Sequence, residues 1–177
     1  MVRAVGTQLG GARLKYSGMA SDLRPYIRNG GKRIAVRRVA ISIADLTNEA
    51  SLQHDLAEVA LDESEPHEVR AMAVFALGRI GDEIEKASLK RLLIDRSVND
   101  PDDELKGGAL IATWPDHLTA AELFLALTPL TTSISGLYQR FLYRGRESGF
   151  WLGFCRRTSF AGMSRSCRIV SIQAGRG

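Results

Sequence analysis

An all-α solenoid of antiparallel helix pairs is the fold class this sequence predicts, and three observations predict it. Apolar residues recur at helical spacing in one segment after another. Three of those segments superpose at offsets of 33 and 36 residues. Turn and cap residues fall between the segments rather than inside them.

The clearest segment is PHEVRAMAVFALGRIGD, Pro66 to Asp82. Pro66 fits the first position of a helix, with Ser64 and Glu65 as cap candidates before it. Val69, Met72, Ala73, Ala76, Leu77 and Ile80 form one stripe of that helix. Gly81 is expected to stop it in the left-handed conformation. Ala71, Val74 and Phe75 lie off the stripe, so most of the circumference is apolar and neighbours must cover several sides.

Two further helices match it. Lys32–Asp45 carries Val36, Val39, Ala40, Ile43 and Ala44; the helix after Asp100-Pro101, to Trp114, carries Leu105, Gly108, Ala109, Ala112 and Thr113. In each, a Val or Leu is followed by a cation (Arg37, Arg70, Lys106), with an Ala four residues after that Val or Leu (Ala40, Ala73, Ala109). An internal repeat of this length marks helix pairs that gain a core only by stacking.

Amphipathic helices alternate with these three. Ser21–Asn29 reads as a short helix with Leu23, Tyr26 and Ile27 on one side, ended by the Asn29-Gly30-Gly31 turn. Asn48 is a candidate cap for Glu49–Leu61, with Leu52, Leu56, Val59 and Ala60 inward. Asp82 precedes Ile84–Ile94, where Leu89, Leu92 and Leu93 face inward. Thr119-Ala-Ala-Glu122 is a capping box opening Ala120–Leu127. Asp100-Pro101-Asp102-Asp103-Glu104 reads as a helix start, since carboxylates favour the positive end of the helix dipole. It lacks the spacing of a calcium loop.

Charge divides the chain in three. Residues 1–38 hold nine Lys/Arg and one acid, net +8; residues 39–143 hold eight and eighteen, net −10; residues 144–177 hold seven and one, net +6. The overall pI of about 9.3 therefore rests on the two ends, and the repeat region is acidic. That opposes nucleic acid as a partner, because phosphate neutralisation dominates such binding. No apolar run is long enough to span a bilayer, and the first residues lack a signal-type apolar core, so no membrane and a cytoplasmic location are expected. Residues 1–16 read as a poorly ordered lead-in, 17–143 as the helical repeats, and 144–177 as an irregular Arg/Gly-rich tail. The expectation from its composition is an irregular or non-native continuation, the second being testable by translating the encoding DNA in its other two frames.

Val-Arg-x-x-Ala-x-x-Ala-Leu-Gly-x-Ile-Gly-Asp, Val69 to Asp82, resembles a HEAT repeat, of the kind also found in phycobilisome-lyase-like proteins. The resemblance covers about residues 20–143 and implies a HEAT-like α-α superhelix. LRPYIRN, VRRVAISIAD, DPDDELKGGAL and WPDHLTAAELFLALTP followed by YQRFL are similar to the helical region of bacterial NACHT-type (STAND) NTPases. That similarity implies a regulatory or sensor segment acting on an NTPase module in defence or signalling. The chain lacks the P-loop itself: Gly31-Lys32 has Tyr26 where the first Gly of G-x-x-x-x-G-K belongs, and no following Ser/Thr. Resemblance to HEAT proteins also implies an Asp of one repeat against the Arg of its neighbour. Asp100 sits at the matching place, where the other units have Ser64 and Gly31. Arg37, Arg70, Lys106 and Asp100 are thus the candidate partner-binding or inter-repeat contacts, the three cations being expected mainly on helix surfaces.

Chemistry-bearing motifs are sparse. His54, His67 and His117 have no metal-ligand spacing, and Cys155 and Cys167 form no CxxC. No nucleophile elbow occurs. The expectation is a non-catalytic scaffold with no cofactor, binding a protein partner or an NTPase module. A HEAT-like DNA glycosylase recruiting Trp114, Asp116 and Trp151 is the enzymatic alternative, opposed by the acidic middle.

Overall fold

The computed structural model describes residues 15–95, 99–128 and 136–147, and every regular element among them is helical. The helices are α1 (Met19–Arg28), α2 (Ile34–Leu46), α3 (Gln53–Leu61, entered by a 3₁₀ turn at Ala50–Leu52), α4 (His67–Ile80), α5 (Glu83–Ser88), α6 (Arg91–Ile94), α7 (Glu104–Thr113), α8 (Ala120–Ala126) and α9 (Leu137–Glu147). None is long and apolar enough to cross a membrane.

They pack in two rows. In the first, α1 lies on α3 and α3 on α5; in the second, α2 lies on α4, α4 on α7 and α7 on α9. The rows join where α1 meets α2, α3 meets α4, and α5 and α6 meet α7. One apolar cluster runs through α1 to α7, and includes Ile27, Ile41, Leu56, Val69, Ala73, Leu77, Leu89 and Leu105. A second gathers Leu110, Leu118, Leu123, Phe124, Leu127, Tyr138, Phe141 and Leu142 at the far end. Each Leu or Val buried this way stabilises the stack by about 1.5–3 kcal/mol.

The expected repeat is visible in burial. Ala40, Ala73 and Ala109 are all buried, as are Ala44, Leu77 and Thr113. The first unit departs from the expected stripe: Val36 and Val39 are exposed, and α2 buries Arg37, Ala40, Ile41 and Ala44 instead. Tyr26 is likewise exposed, under the Lys32 ammonium at 5.4 Å from its ring centre.

Helix ends differ from expectation for local reasons. Gly81 is extended (φ −70°) rather than left-handed. Glycine is required there by closeness, since a Cβ would lie 2.6 Å from the Leu77 carbonyl oxygen. Pro66 precedes α4 in an extended conformation, and its carbonyl accepts from Val69 and Arg70. Asn48 caps nothing and takes a left-handed turn (φ 51°), which its short polar side chain tolerates. Ile84–Ile94 divides in two because the chain tightens to three-residue bonds around the buried Leu89. The segment after Pro101 becomes helical only at Glu104, Asp103 being left-handed (φ 60°). Asp82 and the Thr119–Glu122 capping box act as expected. α9 extends to Glu147, beyond the expected end of the repeats at 143. The lead-in (except 15–16) and the tail from 148 onward lie outside the described residues.

Small residues bring the second row together. Gly107 lets the start of α9 sit directly on α7: a Cβ there would lie 2.0 Å from the Tyr138 backbone nitrogen. Gly107→Ala is therefore expected to destabilise by about 1–3 kcal/mol through backbone displacement, despite alanine's better helix propensity. Urea unfolding followed by circular dichroism checks this. A variant as stable as wild type would mean that α9 does not rest on Gly107.

Candidate inter-unit and partner contacts

Arg37 and Arg70 are buried, not surface cations. The reason is an unsatisfied helix end. The last carbonyls of α1 and α3 have no partner within their own helices, and these arginines reach them. Arg37 donates to the Ile27 carbonyl from Nε (3.2 Å) and Nη2 (2.8 Å). Arg70 donates from Nε to the Ala60 carbonyl at 3.2 Å. Both bonds run ten residues back, so the two sites are equivalent across the repeat.

They are not equally satisfied. Arg37 also holds Glu65 in a two-pronged pair, through Nη2 to Oε1 at 2.8 Å and a second short contact from Nη1 to Oε2. Arg70 Nη2 is buried with no hydrogen-bond partner. One period beyond Glu65 the sequence has Val98, which carries no carboxylate.

Lys106 follows a different plan. Its ammonium turns forward to Thr128 Oγ1 (2.6 Å) and Asp103 Oδ1 (2.5 Å), and lies 4.1 Å from the Tyr138 ring centre. A lysine is a compact point charge without the planar fork of arginine, which suits this pocket of single acceptors and a ring face. Tyr138 is itself anchored, donating to the Thr128 carbonyl at 2.6 Å and accepting from its N–H at 2.9 Å. Burial pushes its hydroxyl up to about 12.

Asp100 meets His67 rather than Arg70. Its Oδ1 lies 3.0 Å from His67 Nε2, while its two oxygens accept from the Leu105 and Lys106 backbone N–H groups. It therefore caps α7 and ties that helix to α4. Asp102 adds a carboxylate oxygen 3.3 Å from the same His67 nitrogen. Among the described residues, these three form the one group able to converge on a metal ion. Asp100's oxygens are already engaged with the backbone of α7, and Asp102 accepts from Glu104 N, so helix capping accounts for their positions.

The other polar contacts make two ladders along the stack. In the first row, Arg24 and Arg28 grip the buried Asp55, at 2.9 and 3.2 Å. His54 then meets Glu85 at 3.0 Å, and Lys90 meets Glu122 at 2.7 Å. Gln53 brackets Asp82, with both bonds at 2.8 Å. In the second row Arg38 meets Glu68 (3.1 Å), Arg79 meets Asp45 (3.1 Å), and Glu104 accepts from Leu137 N (2.9 Å). Burial raises the Asp45 carboxyl above its usual range, and Arg79 partly offsets this. Partners in these ladders are 27 to 34 residues apart, one repeat. Singly, the exposed pairs among them contribute little; the regular spacing of the whole set is what places equivalent surfaces in register. These pairs are not legible in the sequence, because each partner looks like an ordinary surface charge until the stack brings together residues one period apart.

The ladder responds to acid. Hydrogen bonds from Lys90 and then Thr119 hold the Glu122 carboxyl down to about 2, against an ordinary value of 4.5. Its contribution is present above about 4.5 and lost as pH falls through about 2. The urea midpoint of wild type is thus expected to exceed that of Glu122→Gln at neutral pH, the gap closing as pH falls towards 2. A gap that persists unchanged at pH 2 contradicts it. His54 titrates the other way. Glu85 raises it above 6.5, so its pairing is fully present below 6.5 and lost as pH rises through the raised value.

Comparison with known proteins adds no relative: no family model, curated protein or solved structure matches the chain.

Proposed function

We propose that this chain is a non-catalytic protein-interaction scaffold built from HEAT-type repeats, acting as the sensor or regulatory segment of a bacterial NACHT-type system. The observation that carries the reading is the repeat itself. Arg37 and Arg70 perform the same task ten residues beyond Ile27 and Ala60, and ladder partners lie one period apart. Chains built this way present extended surfaces made of equivalent positions, which suit protein partners. Most of the charged groups in the described region are engaged in capping and stacking, which supports a structural rather than a catalytic use. The acidic middle of the chain favours a partner with basic segments and a salt-dependent affinity.

The test is co-expression of the full chain with the NTPase encoded nearest to its gene, followed by affinity capture. Co-purification of the NTPase, weakened by added salt, is expected. Capture of unrelated basic peptides with none of the NTPase would sink the regulatory role.

A further inference from the structure

Helix α2 has two apolar faces, and among the described residues only one of them is covered. Val36, Val39, Ile43 and Leu46 recur at i, i+3, i+7 and i+10, a single face of the helix. Val39 is 59% exposed, Leu46 46% and Val36 41%, with Ile43 half-buried. This face lies away from the buried Arg37, Ala40, Ile41 and Ala44.

Later units define what such a face is for. Val39 corresponds to Met72 and Gly108, and Ile43 to Ala76 and Ala112. Met72 Sδ accepts from Arg38 of α2 at 3.3 Å. A Cβ on Gly108 would meet the Val74 side chain of α4 at 2.7 Å, and Ala112 lies against Gly78 of α4. Met72 of α4, and Gly108 and Ala112 of α7, thus touch the helix one unit earlier. In α2 Val39 is exposed and Ile43 half-buried, so among the described residues the interface that joins the units is left open at this end.

Its rim is positive. Lys32 and Arg33 are exposed at the start of α2, whose first turn holds no acidic residue to offset them or the positive end of the helix dipole. Arg38, by contrast, is engaged by Glu68. We infer that this face receives an amphipathic helix of a partner protein, apolar where it lies on Val36, Val39, Ile43 and Leu46, and acidic along the edge beside Lys32 and Arg33. A second copy of the chain is opposed by charge, because α9 at the far end presents exposed Arg140 and Arg144. The inference rests on the scaffold reading but concerns the end of the stack that begins in the basic segment 1–38. Its occupant is therefore acidic, where the acidic middle favours basic segments.

The experiment titrates the full chain against two fluorescent, helix-stapled peptides. Both carry the same Leu/Ala stripe at helical spacing, one flanked by Glu and the other by Lys. The Glu peptide is expected to bind about tenfold tighter or better than the Lys peptide. Val39→Asp should lose that binding about tenfold while its circular dichroism stays that of wild type. Lys32→Glu with Arg33→Glu should reverse the preference, and it decides the matter if Val39→Asp fails to fold. Equal affinity for both peptides, no binding, or binding untouched by these variants would overturn the inference. So would concentration-dependent self-association in sedimentation that Val39→Asp abolishes, since that assigns the face to a second copy. Peptide binding is read independently of NTPase capture, so failure of one leaves the other standing.

Discussion

Ala73→Arg is expected to leave the protein insoluble or unfolded. Ala73 is completely buried at the middle of α4, the helix flanked by α2 and α7 in its own row and by α3 in the other. Its counterparts Ala40 and Ala109 are buried too. A methyl group here lets helices approach closely; a guanidinium would be forced into the contact without a carboxylate prepared for it. Overpacking and an unpaired buried charge act together, so the loss should exceed about 4 kcal/mol, a large part of a small domain's stability. Because neighbouring units share one core, the damage spreads along the stack. Far-UV circular dichroism of the purified variant is the check. A soluble variant with full helical signal would mean that Ala73 is not at an inter-helix contact.

Arg37→Met is expected to cost about 3–5 kcal/mol, because it strips a buried pair of one partner. The Ile27 carbonyl then has no donor from Arg37, and the Glu65 carboxylate loses the guanidinium that holds it. Arg70→Met should cost at least about 2 kcal/mol less. It removes one hydrogen bond to Ala60, but also removes the orphaned Nη2 donor, whose burial is itself unfavourable. Urea midpoints at unchanged slope measure both variants. Equal losses would show that Glu65 adds nothing to the Arg37 site. Arg37→Lys should recover only part of the loss, since an ammonium cannot serve the carbonyl and both carboxylate oxygens with the same fork.

These two arginines also mark where the sequence stopped being informative. The Val-Arg pattern was legible as a repeated element, but a cation beside an apolar stripe reads as a surface residue. Its burial depends on a carbonyl ten residues earlier, and periodicity carries no trace of that partner. The stripe of α4 was readable because neighbours cover most of its circumference. The stripe of α2 was misread for the complementary reason: Val36 and Val39 have the period of a core face, but the neighbour that such a face requires is not among the described residues. Capping was legible at Asp82 and Thr119, where donor and acceptor are local. It was not at Asp100, which reaches the N–H groups of Leu105 and Lys106 across a left-handed residue. Gly81 shows the same limit: the glycine was recognised, but close approach to Leu77, not a left-handed turn, is what requires it. The His67–Asp100–Asp102 group joins residues a full period apart and could be found only in the stack.

Equivalent helices lie side by side, one period apart, and a designed crosslink tests that register. Gly78 on α4 and Ala112 on α7 face each other so closely that a Cβ on Gly78 would lie 3.1 Å from that of Ala112. Bridged cysteines hold their Cβ atoms about 3.5–4.5 Å apart, so a shift of a few tenths of an ångström suffices. Gly78→Cys with Ala112→Cys, in a chain with Cys155 and Cys167 changed to Ser, should oxidise in air to an intramolecular disulfide. Peptide mass mapping would find it joining positions 78 and 112. Thiols that stay free in the folded protein, or that pair only between molecules, would mean that the second and third units do not stack in this register.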